Sequence, residues 1–480
     1  MYCGYVIKVE NLRAHTNADR LQILGIFGTE TTVDLSVKVG DIGVYFPTDG
    51  QLSVEFAEIN NLVRKKDDAG NQIGGFLDPA KRNIRAINLR GEKSDGLYLP
   101  ISAFNYCFDK PEDNKLTVGD TITVVNGHEI CCKYIPRSNK SASTSGGNKT
   151  RKKKVLVAPL FTEHADTEQL AYHLSAFKPG DEIEITLKMH GTSQRTGYLP
   201  VLKGYKRTLW ERITRKEGTP IYDWGYVSGT RRTVLENYDG GYYGDNLFRE
   251  QHSKHFEGKL WKGETVYYEV VGFTTSGQPI MSSANNAKLQ DKEFIKQYGK
   301  ETVFSYGCYP DGKEWVWGGA VEGGYVDFPR PQSDIYVYRM TMTNEDGEVV
   351  EYTPDFMRYR CEQMGVKTVP VFFRGHITRA GIHGDGAFEY HVSDGIKMGA
   401  CYGDGAIGDM IRAAAEEFYD GPDPIGKTHV REGVVVRIIN RPKFTAYKHK
   451  NYSFKVLEGI IKDTAEAPDI EEAQEVEDNA

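Results

Sequence analysis

The sequence predicts an α+β protein with two folded domains. Short apolar and β-branched runs separated by turn-forming stretches fill residues 1–133, as in a small β-barrel or sandwich. Strand-like runs alternate with helical ones over residues 155–460, which indicates a mixed domain. Between them, residues 139–154 carry small polar residues and then a basic cluster, a composition that cannot bury a core. We therefore expect a first domain over 1–138, a flexible linker over 139–154 and a second domain after it.

The composition is that of a globular protein. Of the 480 residues, 39% are hydrophobic and 26% are charged, which supplies sizeable cores and excludes a wholly disordered, collagen-like or coiled-coil chain. No run of about 20 apolar residues is present, and no basic stretch followed by an apolar one marks a secretory signal. Seven scattered cysteines without a CxxC pair are typical of a reducing compartment, and no clustered zinc ligands are visible. We expect a cytoplasmic monomer without membrane association.

The net charge of −7 is unevenly distributed along the chain. Residues 463–480 contain eight acidic residues and no Lys or Arg, so the −7 of the whole chain becomes +1 without these eight. Acid-rich terminal segments are usually disordered and solvated, and we predict such a tail over 461–480. The linker carries the opposite charge at Lys149 and over 151–154, where phosphate contact, a localisation tag and a merely solvated linker are alternatives. The acidic total therefore does not exclude a nucleic-acid-binding protein.

The individual elements follow from local patterns. In the first domain the apolar runs predict strands at Gly4–Glu10, Arg20–Ile26, Asp41–Phe46, Gly96–Leu99 and Asp120–Val125. In the second domain similar runs predict strands at Glu182–Lys188, Thr265–Val271, Ile335–Thr341 and Gly433–Ile439. Apolar residues at helical spacing predict a helix at Ile407–Phe418, and an inserted subdomain between 342 and 400 is an alternative to a continuous domain. No role is predicted for 342–428.

The segment 421–428 matches the phosphate-binding pattern GxxxxGK[ST] only formally. Pro422 and Pro424 remove two of the backbone N–H donors that such a loop points at phosphates. A helical pattern precedes the segment and a strand-like one follows it, the reverse of the order that the motif requires. We interpret it as a turn between a helix and a strand.

The strand ending at Lys188 is the first candidate for chemistry. Ile183, Ile185 and Leu187 share one face of this strand, and we expect this apolar face to be buried. Lys188 belongs to the opposite, polar face and should point into any cleft that the polar face lines. Gly191 follows in the sequence Lys-Met-His-Gly and permits a tight turn. A KxxG pattern alone is weak, because most lysines are ordinary exposed residues.

Further segments strengthen this candidate. Two carboxylates belong to strand-like runs: Glu269 lies within Tyr-Glu-Val-Val-Gly, and Glu432 begins Glu-Gly-Val-Val-Val-Arg. Two lysines, Lys448 and Lys450 in Lys-His-Lys, are two residues apart and therefore share a strand face. Aromatic residues lie on the strand between the two carboxylates, at Tyr336 and Tyr338. Taken singly, the carboxylates could be solvated residues at strand ends, and the two lysines could be exposed residues of an edge strand. The ordered set indicates one site.

This ordered set resembles the motifs of the covalent nucleotidyltransferases, the superfamily of ATP-dependent DNA and RNA ligases and mRNA capping enzymes. The matching patterns are, in order, KxHG, YExVG, an aromatic strand, EGxVxR and KxK. The His190 variant of the nucleophile motif is most similar to RNA ligases. In the first domain, the segments His15–Leu21 and Arg90–Leu97 resemble tRNA-binding OB modules. An OB module ahead of the ligase domain is similar to the nick-sealing RNA ligases called family five. The resemblance implies a β-barrel OB-like domain followed by an adenylation domain of antiparallel sheets with helices.

The resemblance also implies roles for the motif residues. Lys188 would be the nucleophile that forms lysyl-AMP, and Lys448 and Lys450 would neutralise the α-phosphate of ATP. Glu432 would associate with Mg²⁺ or Mn²⁺. Glu269 would accept hydrogen bonds from the ribose hydroxyls.

Further ATP contacts are implied by position. Tyr338 would stack on adenine, with Tyr336 as the alternative, and Arg232 would bind phosphate, with Arg231 as the alternative. The nucleotide contacts also include His190 and Gly191 of the nucleophile motif. In the first domain, the RNA contacts would be Arg85, Arg90 and Lys93.

The sequence departs from its relatives at two positions. Ser193 stands where several of them have Asn or Arg, and Leu187 where some RNA ligases have an acid that recognises adenine, so selection of ATP must rest on other groups. We predict an ATP-dependent RNA ligase that joins a 3′-OH to a 5′-phosphate RNA end, with nick sealing in RNA repair as the expected role. The alternatives are a DNA ligase, a capping guanylyltransferase and a non-catalytic RNA-binding protein.

Overall fold

The structure is a computed structural model. It describes residues 2–66, 72–134, 157–164, 167–214, 218–235, 238, 243, 246–277, 280, 333–385, 391–392, 395–396, 401–402, 406–425 and 430–456. These residues form two compact units, the first of 2–134 with 452–456 and the second of the described residues from 157 to 451. The predicted linker at 139–154 and the predicted acidic tail at 461–480 lie outside the described residues.

The first unit is rich in short strands, as predicted. Its strands are β1 (Gly4–Lys8), β2 (Asn11–Ala14), β3 (Leu21–Ile26), β4 (Thr29–Asp34), β5 (Ile42–Phe46), β6 (Gly50–Leu52), β7 (Arg64–Lys66), β8 (Gln72–Gly74), β9 (Ala86–Leu89), β10 (Glu92–Asp95), β11 (Leu97–Pro100), β12 (Thr121–Ile122), β13 (Val124–Val125), β14 (His128–Glu129) and β15 (Cys131–Lys133). Helix α1 (Val54–Ile59) begins after Ser53, whose side chain accepts a hydrogen bond from the Phe56 N–H.

Small antiparallel sheets build this unit. The four-stranded sheet has the order β11-β5-β1-β12, and β2-β3-β4 form a three-stranded meander. Val44, Phe46, Phe56 and Phe104 are among the buried residues of the core. The predicted strand Asp120–Val125 is divided, because β12 pairs with β1 whereas β13 pairs with β14 in another sheet. The other four predicted strands are confirmed with small shifts at their ends.

The second unit contains longer strands and most of the helices. Its strands are β16 (Glu168–Gln169), β17 (Glu182–Leu187), β18 (Thr192–Lys206), β19 (Thr219–Gly229), β20 (Glu264–Gly272), β21 (Ser333–Thr343), β22 (Val349–Glu351), β23 (Lys367–Thr368), β24 (Val371–Thr378), β25 (Gly381–Gly384), β26 (His391–Val392), β27 (Gly395–Ile396), β28 (Cys401–Tyr402), β29 (Gly433–Ile438) and β30 (Thr445–Lys450). Its helices are α2 (Leu209–Thr214), α3 (Leu247–His255), α4 (Pro354–Met364) and α5 (Ile407–Phe418). The predicted helix Ile407–Phe418 and the α+β class are confirmed.

Two sheets form the framework of the second unit. A seven-stranded sheet has the order β16-β30-β29-β17-β24-β25-β28, and a six-stranded sheet contains the path β19-β18-β20-β21-β22 with β23 paired to β21. The predicted apolar face of β17 is confirmed, since Ile183, Ile185 and Leu187 are fully buried in a core that also contains Ile411 and Phe418 of α5. Helices α3 and α4 cover the six-stranded sheet through a second core.

The alternative of a separate insertion at 342–400 is wrong for the residues described there. Strand β24 pairs with the central strand β17 from Glu182↔His376 to Thr186↔Val371, and β22 pairs with β21 of the other sheet. Helix α4 contributes Met357 and Met364 to the core of the six-stranded sheet. The segment is therefore part of both sheets. None of the helices in the described part of the chain is long and apolar enough to cross a membrane.

Candidate active site

Three strand ends of the seven-stranded sheet meet at one edge. Antiparallel pairing sets Leu187 opposite Val434 and Gly433 opposite Lys450. The backbone N–H of Lys188 donates to the Gly433 carbonyl at 3.0 Å, which continues the pairing of β17 and β29 by one residue. The C-terminal ends of β17 and β30 and the N-terminal end of β29 thus lie side by side. This register explains why residues more than 240 positions apart in the sequence share a site.

Glu432 is the centre of the resulting cluster. Its Oε1 lies 2.5 Å from Lys188 Nζ and 3.3 Å from Lys450 Nζ. Its Oε2 accepts a hydrogen bond from His190 Nδ1 at 3.2 Å, since an ionised carboxylate can only accept. Three of the predicted site residues therefore converge on the carboxylate of a fourth, Glu432.

The cluster carries an excess of positive charge in a partly dry setting. The Glu432 side chain is only 5% exposed, whereas that of Lys188 is 22% exposed and remains accessible to a ligand. Burial by itself would raise the pKa of Glu432, but the charges of Lys188 and Lys450 and the His190 hydrogen bond outweigh it and hold this pKa well below its ordinary value. Two lysines around one ionised carboxylate favour an anionic ligand.

Glycine is required at two positions that shape the site. At Gly433, φ is 147°, and an added Cβ would lie 2.1 Å from the His449 carbonyl oxygen. At Gly191, an added Cβ would lie 2.4 Å from the Val270 carbonyl oxygen and 2.9 Å from Glu269 Cγ. The absence of side chains lets the loop after Lys188 approach β20 closely.

The six-stranded sheet contributes a row of polar side chains beside this loop. Ser193 of β18 pairs with Glu269 of β20, and Glu269 pairs with Tyr336 of β21. Directly opposed residues point to the same face of a sheet. Glu269 therefore shares a face with Ser193 and Tyr336 and lies against Gly191.

Tyr338 joins the row through an irregularity in the sheet. Tyr267 of β20 pairs with Arg339 of β21, but the next residue, Tyr268, pairs with Val337. Tyr338 is therefore an extra residue in β21 without a partner position in β20, as in a β-bulge. Its hydroxyl lies 2.9 Å from Ser193 Oγ. Tyr338 is half-buried, whereas Tyr336 is buried within the core that contains Leu187. Of the two candidate adenine-stacking residues, Tyr338 thus has the more accessible ring.

The remaining candidates of this unit have different surroundings. Lys448 lies two residues before Lys450 on β30, paired with Val435 on one side and Gln169 on the other. Arg232 is exposed, and its carbonyl accepts a hydrogen bond from the guanidinium of buried Arg195 at 3.2 Å. Arg231 is half-buried in the same turn.

Sequence reasoning did not identify the buried arginine that supports Ser193. Arg249 of α3 is fully buried and donates to the Ser193 carbonyl at 3.0 Å and to Thr192 Oγ1 at 2.6 Å. Its own carbonyl accepts from the Gln194 side chain at 2.9 Å. A single arginine on a polar helix gives no signal in the sequence, because its burial depends on how α3 packs on β18.

The three RNA-contact candidates of the first unit lie on or before one hairpin. Arg90 and Lys93 are exposed, Arg90 at the turn between β9 and β10 with a φ of 50°, and Lys93 with its amine 5.1 Å from the centre of the Tyr452 ring. Arg85 is half-buried, and burial together with Arg64 lowers its pKa.

The described residues are compatible with a divalent cation shared with a bound phosphate. They contain no group of three or more His, Cys, Asp or Glu side chains placed to hold a metal. Glu432 nevertheless offers a buried carboxylate, and Mg²⁺ is usually held by one or two carboxylates together with substrate phosphates and water. Because Lys188, Lys450 and His190 already engage both oxygens of Glu432, a Mg²⁺ or Mn²⁺ ion would take most of its ligands from the phosphates and water.

Comparison with known proteins finds solved structures of similar fold. No protein-family model and no curated protein matches the sequence. Among solved structures, a mutant of the Naegleria gruberi RNA ligase with ATP and Mn has 15% identity and a TM-score of 0.52, covering 95% of this chain and 99% of that chain. Another mutant, with AMP and Mn, has 15% identity and a TM-score of 0.52, covering 96% and 100%. The same ligase with PPi has 16% identity and a TM-score of 0.50, covering 96% and 98%. The protein thus has the fold of these structures over nearly its whole length.

Proposed function

We propose that the protein is an ATP-dependent RNA ligase that joins a 3′-OH to a 5′-phosphate RNA end. One observation carries the proposal: Glu432 holds Lys188, Lys450 and His190 together at one edge of a sheet. The likeness of fold to an RNA ligase supports it. A buried carboxylate that gathers an accessible lysine and further cations suits attack on a nucleotide phosphate.

In the first step, Lys188 Nζ attacks the α-phosphorus of ATP. A nitrogen–phosphorus bond forms, the bond to the β-phosphate oxygen breaks, and pyrophosphate leaves. The attacking nitrogen must be a neutral amine, so the Lys188 ammonium gives up a proton before the nitrogen–phosphorus bond forms. Lys450 and Lys448 neutralise charge that develops on the α-phosphate.

The next steps transfer and then release AMP. The 5′-phosphate of the RNA attacks the lysyl-AMP phosphorus, so that AMP becomes linked to the RNA end and Lys188 is regenerated. The 3′-OH of the other end then attacks the RNA 5′-phosphorus, the new phosphodiester forms, and AMP leaves. The two transfers require both ends to be held close together.

The residues around the cluster would bind the nucleotide. Glu269 would accept hydrogen bonds from the ribose hydroxyls, and Tyr338 would stack on adenine, with its hydroxyl fixed by Ser193. His190 and Gly191 would shape the pocket beside Lys188.

Phosphate and metal contacts complete the site. Arg232 would contact phosphate through its guanidinium. Glu432 and the phosphates would hold Mg²⁺ or Mn²⁺, which supplies positive charge to the phosphate oxygens.

The first unit would act as an OB-type RNA-binding domain, with Arg85, Arg90 and Lys93 as contacts. We place the protein in the cytoplasm as a monomer that seals nicks during RNA repair.

Covalent labelling tests the proposal. Incubation with ATP labelled at the α-phosphate and Mg²⁺ or Mn²⁺ should label the protein, and Lys188→Ala should abolish the label. Lys178→Ala, at an exposed position near the start of β17, is the matched control and should be labelled like the wild type. Lack of any label, or a label that persists in Lys188→Ala, would falsify the proposal.

Two comparisons separate the rival functions. Labelling from GTP in place of ATP would indicate a capping guanylyltransferase. Nicked duplexes with RNA or DNA on each side of the break distinguish the ligases, and equal sealing of all-DNA nicks would indicate a DNA ligase.

A further inference from the structure

The first unit contains a large cavity that the proposed ligation chemistry does not use. Its volume is about 930 Å³, within the range of small-molecule pockets and large enough for a nucleotide. The surface of the cavity is mostly apolar, with Val33, Ile84, Leu97 and Leu99 contributing to it beside polar and charged residues. All of its lining residues belong to the first unit.

Two hydroxyl groups in the wall lack partners. Tyr98 is 6% exposed, and neither its hydroxyl nor that of Thr32 has a hydrogen-bond partner among the described residues. The Tyr98 ring lies against Gly43, where an added Cβ would come within 2.5 Å of it. Buried polar groups in proteins are nearly always hydrogen-bonded, so a polar ligand atom that reached either hydroxyl would supply its missing partner.

Cations are gathered at one side of the cavity. Arg64, Lys81 and Arg85 all line it. Three carboxylates also line the cavity: Asp34, Asp41 and Asp78. Each already accepts backbone N–H hydrogen bonds, Asp34 from Ser36 at 2.8 Å, Asp41 from Lys38 at 2.7 Å, and Asp78 from Ala80 and Lys81 at 2.9 Å each. An anionic group would relieve the repulsion between the half-buried Arg85 and Arg64.

An exposed aromatic ring stands in the same wall. Phe76 is 54% exposed although it lines the cavity. Its position is fixed by Arg64, whose Nε donates to the Phe76 carbonyl at 2.9 Å. Ile87 and Leu89 of strand β9 also line the cavity, next to the turn that carries Arg90. The cavity is therefore continuous with the hairpin of the RNA-contact candidates.

We propose that this cavity binds one unpaired nucleotide, with the base on Phe76 and its polar edge at Tyr98. The phosphate lies at Arg64, Lys81 and Arg85. An aromatic platform beside cations is the usual arrangement for single-stranded nucleic acid, and the apolar surface and unpartnered hydroxyls accommodate a base. The choice of RNA as the source of this nucleotide rests on the proposed function, whereas the pocket itself does not depend on ligation.

Cross-linking and binding in the full-length chain test the pocket. Lys188→Ala serves as the background, so that no adenylation occurs. A fluorescent single-stranded oligouridine of about ten nucleotides with one 4-thiouridine is titrated, irradiated, and mapped by mass spectrometry. UMP is titrated separately, as a free nucleotide without adenine. We expect an adduct on a peptide that contains Phe76 or Tyr98.

Substitutions give the expected magnitudes. Phe76→Ala removes one stacking contact at an exposed position that does not threaten folding, and should weaken binding roughly 5- to 150-fold. Tyr98→Phe removes one hydrogen bond and should weaken it about 2- to 10-fold. Tyr106→Phe makes the same change as Tyr98→Phe outside the cavity, and Lys110→Ala removes an exposed side chain outside the cavity; both should bind like the background protein.

The outcomes separate the pocket from the enzyme. If the binding of UMP and the binding of RNA both depend on Phe76, the pocket takes a free nucleotide. If only the binding of RNA depends on Phe76, the pocket takes a nucleotide within a strand. Wild-type binding by Phe76→Ala and Tyr98→Phe, or adducts only on other peptides, would overturn the proposal. If ATP labelling fails while Phe76 dependence persists, the ligase proposal is wrong and the pocket stands.

Discussion

Gly433→Ala should break the candidate active site through the backbone alone. Gly433 has a φ of 147°, and an added Cβ would lie 2.1 Å from the His449 carbonyl oxygen and 2.7 Å from Lys450 Cα. Both atoms belong to the backbone of β30, which no rotamer change can move. The strand must therefore separate from β29 at the end where Lys450 reaches Glu432.

The structure sets the size of the expected effect. A non-glycine residue in a sparsely populated backbone region costs about 1–3 kcal/mol, and overpacking adds about 1–3 kcal/mol. We expect a loss of about 2–6 kcal/mol in the free energy of unfolding. Displacement of Lys450 by about 1 Å from its 3.3 Å contact with Glu432 should lower the rate of lysyl adenylation roughly 100-fold.

Two assays and one matched variant check this reasoning. Urea unfolding gives the change in stability, and the rate of labelling from ATP gives the change in chemistry. Gly204→Ala is the control, because an added Cβ there meets nothing within 4 Å, and it should unfold and label like the wild type. Wild-type stability and labelling in Gly433→Ala would show that the close approach of β29 and β30 has been misjudged.

Three further predictions concern charge, packing and stacking. The pKa of Glu432 in the folded protein lies below the ordinary value of 4.5. The ionised Glu432 carboxylate therefore stabilises the fold fully above pH 4.5, and this stabilisation is lost as the pH falls from 4.5 toward the folded-state pKa. Glu432→Gln should abolish labelling and flatten this acid dependence in urea unfolding over about pH 3 to 6; an unchanged profile would contradict the assignment. Arg360→Leu leaves Glu264, fully buried and bonded to Arg360 at 2.8 Å, without its cation, and should cost about 3–5 kcal/mol in chemical unfolding, part of which Glu264→Gln recovers. Tyr338→Phe keeps the ring and removes only the Ser193 contact, so the KM for ATP in adenylation should change by less than about 10-fold. Tyr338→Ala should raise that KM by roughly 5- to 150-fold, and equal effects of the two variants would exclude stacking.

Strong local periodicity made the principal elements predictable. The helix Ile407–Phe418 has the predicted bounds, because its apolar residues repeat at helical spacing and face a core. The apolar alternation of Ile183, Ile185 and Leu187 likewise identified the buried face of β17. The strand at Asp120–Val125 was predicted as continuous and is divided, because β12 and β13 pair with different partners, which no local pattern specifies.

Motif order along the chain is enough to indicate Lys188, Glu432 and Lys450 as candidate site residues. Their shared position at one sheet edge depends on the pairing of β17, β29 and β30. Tertiary structure alone decided that Glu432 binds both lysines and His190, that Arg249 supports Ser193, and that Tyr98 lies unpartnered in a cavity. The physical reason is that charge interaction and burial depend on distances between distant segments, whereas local patterns report only which face of an element is apolar.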